Sequence, residues 1–128
     1  MPLITLTVVK PKSAEFKSDI FAAVHAALVA SGVPAADRFQ RALELDAEDF
    51  RFDQRYPDLS SDRDQNFALI EILFSEGRSV KVKKTIVADI VASLTAAPLN
   101  LNAENVMICF KETRWENWVF GGGRFIHT

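Results

Sequence analysis

Leu3-Ile4-Thr5-Leu6-Thr7-Val8-Val9 and Leu69-Ile70-Glu71-Ile72-Leu73-Phe74-Ser75 fall over one another when the chain is shifted by about 66 residues. The residues after each stretch match as well, with Ser13 falling over Ser79. In the first, apolar residues alternate with Thr5 and Thr7, the pattern of a strand with one buried face. Lys10-Pro11-Lys12 ends it, and Ser13 is placed to cap a helix. Phe16, Ile20, Val24, Ala27 and Leu28 then recur at helical spacing until Gly32, predicting a helix of about 20 residues, or ~30 Å. A second strand is expected over residues 37–45, where Phe39, Arg41, Leu43 and Leu45 alternate with polar neighbours. In the second copy, residues 67–74 form an apolar run broken by Glu71, expected to be a strand covered on both faces. Ser79 opens a helix in which Val82, Ile86, Ile90 and Leu94 repeat every fourth residue, and residues 105–112 supply a fourth strand.

The chain is thus a duplicated β-α-β unit of about 60 residues, each helix crossing back to a parallel strand. The predicted fold class is α/β (α+β), a four-stranded sheet with two helices on one face. One domain is expected over residues 1–128, built from pseudo-repeats at about 2–60 and 67–128. The other sheet face is left bare, which predicts burial in a closed homo-oligomer. Residues 46–66, with Phe50-Arg51-Phe52 and an acidic run, are read as a short hairpin followed by an exposed loop.

Composition narrows the function. The 128 residues are 48% hydrophobic and 25% charged, as expected of one domain with an ordinary core. A net charge of −2 disfavours nucleic acid and anionic membranes as partners. The single Cys109 lies in the apolar run Val106-Met107-Ile108-Cys109-Phe110 and is read as core. Neither an export signal nor a spanning segment is legible, so the expected location is cytoplasmic. His25 and His127 make no metal-ligand pattern, and the run 58–64 lacks the glycine and terminal glutamate of a calcium loop, so no metal is expected. Gly121-Gly122-Gly123 is followed by no helix and is read as a turn that lets the tail lie against a neighbouring subunit, rather than as a phosphate loop.

The chemistry starts at the first strand. With the initiator methionine removed, Pro2 carries a free secondary amine, able to act as base, cation or iminium-forming nucleophile. A model α-amino group titrates near ~7.7–8.0, so burial and neighbouring charge decide its form at neutral pH.

An amino-terminal proline on a strand, the tandem duplication and this length together resemble the tautomerase superfamily. Within it the chain resembles the malonate semialdehyde decarboxylase group in three segments: residues 32–40, residues 75–79, and Asn117-Trp118-Val119-Phe120-Gly121-Gly122-Gly123-Arg124. The resemblance implies a homotrimer and a cofactor-independent enzyme acting on a small 3-oxo acid as a decarboxylase or hydratase. By position it implies Pro2 as the catalytic amine and Asp37 as the acid/base or water-activating carboxylate. It likewise implies Arg78 as the carboxylate binder, with Trp118 and Phe120 as the apolar wall. Glu76 stands where that group has the first of two arginines, inverting the charge beside the expected anion site. Lys81, Lys83 and Lys84 are the nearby cations in the second helix. Two further readings are a keto–enol tautomerase for a phenylenolpyruvate-type substrate and a trimeric scaffold with a drifted site.

Overall fold

The computed structural model describes residues 1–125. The chain runs β1 (Leu3–Val9), α1 (Ala14–Ala30), β2 (Phe39–Leu45), β3 (Ala68–Ser75), α2 (Val80–Thr95), β4 (Val106–Thr113), and a terminal pair β5 (Val119–Phe120) and β6 (Arg124–Phe125). The four long strands form one sheet in the order β2-β1-β3-β4. β1 is parallel to β2 and β3 to β4, as a duplicated β-α-β unit requires, and the two copies join through antiparallel β1 and β3. The predicted helix starts are met: Ser13 Oγ accepts from Phe16 N and Ser79 Oγ accepts from Val82 N.

Strand alternation decides the core. Ile4, Leu6 and Val8 of β1 and Ile70, Ile72 and Phe74 of β3 face the helices and are fully or almost fully buried. They meet Ile20, Val24 and Leu28 of α1 and Ile86, Ile90 and Leu94 of α2, all without exposed surface. The opposite register positions, Thr5, Arg41, Glu71 and Cys109, form the middle of a face that no helix covers. β3 is accordingly covered on one face only within the single chain: Leu69, Glu71 and Leu73 stay half-exposed. Its apolar run was long because both faces carry apolar residues, and periodicity does not say what lies beyond each face.

Cys109 is exposed, a correction to its reading as core. In β4, Ile108 and Phe110 pack toward the core, so the residue between them points the other way. Residues 46–66 contain no hairpin. After a 3-10 turn (Ala47–Asp49), Phe50 and Phe52 fold onto Phe67 with ring centroids 5.6 and 4.4 Å away. Asp53 accepts from the backbone N–H groups of Arg55 and Tyr56, and Asn105 anchors Asp64. Side-chain hydrogen bonds and aromatic packing thus replace the strand ladder there. His127 lies outside the described residues.

Truncating the centre of this core is expected to be costly. Ile72→Ala or Ile90→Ala should lower the unfolding free energy by ~2–5 kcal/mol, read by urea denaturation. Tyr56→Ala, at a side chain 73% exposed, should change it by no more than about 0.5 kcal/mol.

Candidate active site

Because β1 runs parallel to β2 and antiparallel to β3, the starts of β1 and β2 and the ends of β3 and β4 share one edge of the sheet. Pro2, Asp37 and the segment 75–78 therefore meet although they are far apart in sequence. Pro2 is buried. The ammonium of Met1, one residue earlier, lies 3.0 Å from Asp37 Oδ2, with both side chains largely shielded from solvent. Asp37 owes its position to the close of α1: Gly32 adopts a positive φ of 113°, Val33 N returns to Leu28 O, and Asp37 N donates to Pro34 O at 3.0 Å.

Arg78 sits across β1 from Asp37. Its Nη1 donates to Ser75 O at 2.8 Å and its guanidinium stacks 4.2 Å from the Phe74 ring centroid. Burial pushes its pKa down, against Glu112 and Asp37, whose negative charges push it up. A guanidinium stays charged under such a shift, so a half-buried cation is held beside the first turn of α2, where peptide dipoles also favour an anion.

Glu112, which nothing in the sequence singled out, organises this corner. Its carboxylate accepts from Lys83 Nζ at 2.7 Å. That bond chiefly, with the Gly77 N–H and the Arg78 charge, holds its pKa below the ordinary carboxylate range. Lys83 is therefore committed to Glu112 rather than to a ligand. Glu76 is exposed and uses its backbone carbonyl to accept from Trp115 Nε1. The carboxylates that act on Arg78 are thus Glu112 and Asp37, not Glu76.

Trp118 and Phe120 line a cleft of about 310 Å³ together with Leu3 and Phe39, the residues that follow Pro2 and closely follow Asp37. Phe120 and Phe39 stand 6.1 Å apart between ring centroids. Arg78 is not part of that lining and lies on the β3 side of Pro2. The tail turns back through Gly122 and Gly123, both at positive φ, so that β5 pairs with β6. Within the chain it packs on Leu3 and Phe39. Phe39 was legible as part of an alternating strand but not as a wall of this cleft. Among the described residues, Asp46, Glu48 and Asp49 also bring three carboxylates together, exposed at the opposite end of β2.

A family model described as tautomerase enzyme matches residues 37–121, and the chain belongs to that family. The structure is similar to FG41 malonate semialdehyde decarboxylase inhibited by 3-bromopropiolate, at 31% identity, TM-score 0.85, and coverage of 95% of this chain and 91% of that one. Another malonate semialdehyde decarboxylase shares the fold at 21% identity and TM-score 0.86, covering 95% and 92% of the two chains. A fused 4-OT described as a symmetric trimer shares it at 18% identity and TM-score 0.73, covering 96% and 94%. No curated protein sequence matches the chain.

The Glu112 contacts are testable by pH. A carboxyl whose pKa is lowered on folding adds stability above its unfolded value of about 4.5, and that contribution is lost as pH falls through the folded value. Glu112→Gln should therefore melt below the wild type at pH 7 and approach it in acid. Amide hydrogen exchange at Gly77 should also be several-fold faster in the variant at neutral pH.

Proposed function

We propose that the chain is a cofactor-independent enzyme using the amine of Pro2 on a small 3-oxo acid, with decarboxylase or hydratase chemistry of the malonate semialdehyde type. The observation that carries this reading is the ion pair of 3.0 Å between the chain's terminal ammonium and Asp37, on the edge that also holds Arg78. The 31% identity to a malonate semialdehyde decarboxylase over nearly the whole chain supports it.

With Met1 removed, the terminal amine passes to Pro2, one residue further along the same strand. In decarboxylation the bond between the carboxylate carbon and C2 breaks, carbon dioxide leaves, and the electron pair moves onto the carbonyl oxygen as an enolate. Arg78 holds the carboxylate, and the cationic amine or an iminium derived from it polarises the carbonyl. A proton then returns to C2. Asp37 keeps the amine protonated or, in hydration, orients water. Trp118 and Phe120 limit water at the cleft and so strengthen these charge interactions.

A second reading, keto–enol tautomerase, is favoured by the family itself and uses the neutral Pro2 amine as base. The two differ in the charge of one nitrogen. We further propose a homotrimer closed over the uncovered sheet face, supported by the trimeric state of the similar fused 4-OT.

In the mature protein, Pro2→Ala and Arg78→Ala should each reduce kcat/KM for a 3-oxo acid by about 100-fold or more while the fold is kept. Unchanged turnover of both 3-oxo acids and enols in both variants would leave a non-catalytic scaffold as the reading. Nitrogen NMR of Pro2 separates the two chemistries: titration above neutrality marks the cation of decarboxylation or hydration, titration below it the base of tautomerisation. Glu76→Arg, which sets a second cation near Arg78, should lower KM for an acidic substrate several-fold with little change in kcat.

A further inference from the structure

Asp37 stands on a loop between α1 and β2, and the hydrophobic core does little to hold that loop in place. Val33 is its last buried side chain, at 4% exposure. Pro34, Ala35 and Ala36 are exposed, and Asp37, Arg38 and Phe39 are not buried either. The position of the Asp37 carboxylate therefore depends on hydrogen bonds. One is internal to the turn, from Asp37 N to Pro34 O, and cannot by itself fix the turn against the rest of the molecule.

Two side chains supply what the core does not, one on each side of Asp37. His25 Nε2 lies 2.9 Å from Ala35 O, and since a carbonyl only accepts, the imidazole donates. Gln40 Nε2 donates to Phe21 O, also at 2.9 Å. Phe21 and His25 are four residues apart on α1 and so share one flank of that helix. Arg38 Nε donates to Gln40 Oε1 at 3.2 Å, which leaves the other end of the Gln40 amide to face α1. The loop is thus tied to the same helix flank two residues before Asp37 and three residues after it.

We infer that His25 and Gln40 are positioning residues for Asp37, clamping its loop to α1 so that the carboxylate meets the terminal amine. This rests on Asp37 acting on the amine of Pro2. An ion pair with solvent access is weak when its partners must first be ordered, and a loop fixed in advance removes that cost. A carboxylate held close raises the pKa of an amine, so loosening the loop should lower it. Neither side chain reaches the Arg78 side of the site, so binding of the substrate carboxylate should be little changed.

The test is nitrogen NMR titration of Pro2 in the mature protein, with thermal melting and steady-state kinetics on a 3-oxo acid. Asp37→Asn is the reference and should lower the Pro2 pKa by about one pH unit. His25→Ala combined with Gln40→Ala should reproduce roughly half of that fall and reduce kcat several-fold at nearly constant KM. His25→Gln, which keeps a donor in place of Nε2, should hold the wild-type titration. A purely structural role would lower the melting temperature and leave Pro2 titrating as in wild type, and that result would overturn the inference. Single variants at His25 and Gln40 give the same reading if the double variant does not fold. If Asp37→Asn itself leaves the Pro2 titration unmoved, Asp37 does not act on the amine, and the reading on which the two positioning roles rest fails first.

Discussion

Leu3 pairs with Leu73 across the central, antiparallel junction of the sheet, and the candidate site depends on that register. A parallel junction would send the end of β3 to the far side of the molecule, leaving Arg78 a full strand length from Pro2. The antiparallel one places the last residues of β3 beside the first of β1. Parallel pairing of β1 with β2 then brings Asp37 to the other flank, so the terminal amine lies between a carboxylate and a guanidinium. The duplicated unit alone requires neither arrangement. It allows both, and the shared core under α1 and α2 holds the one that exists.

Charge at this edge is balanced by residues with unequal duties. Asp37 and Glu112 both act on Arg78, but Glu112 is tied to Lys83 and the Gly77 amide, whereas Asp37 faces the chain terminus. Glu112 therefore holds the turn in place, while Asp37 is engaged by the terminal ammonium. Stacking on Phe74 and the bond to Ser75 O restrict the guanidinium without using up its remaining donors. On the proposed reading of Arg78 as the carboxylate binder, such restraint lowers the entropy lost on binding.

The uncovered sheet face has its own order. Leu3, Leu43 and Leu73 surround a polar centre in which Arg41 Nε donates to Thr5 Oγ1 at 3.0 Å and Lys111 pairs with Glu71 at 2.5 Å. The bond to Glu71 raises the Lys111 pKa. An apolar face broken by a paired polar belt suits contact with further copies of the chain, since paired groups set the relative placement of surfaces that apolar contact alone leaves loose. The same alternation explains the position of Cys109, which lies in this belt opposite Glu71 rather than in the core.

Much of this was written in local pattern. The two caps at Ser13 and Ser79, the fourfold spacing of Ile86, Ile90 and Leu94, and the alternation at Thr5 and Thr7 depend on neighbours a few residues away, so order and type of the elements are legible from the chain alone. Pro2, Asp37, Arg78, Trp118 and Phe120 were visible as candidates by resemblance alone, and the fold brings Pro2, Asp37 and Arg78 to one edge of the sheet while Trp118 and Phe120 line a cleft that Arg78 does not enter. Where contacts are remote, local pattern failed. Phe50 and Phe52 looked like strand residues until Phe67 gave them a partner, Cys109 looked buried because its neighbours are, and Glu112 carried no signal because its partners lie on α2 and in the turn before it. The sequence by itself determined the duplicated β-α-β order and its core, because periodicity is a local property. Tertiary structure alone decided which polar groups meet, because that outcome depends on the register between β1 and β3.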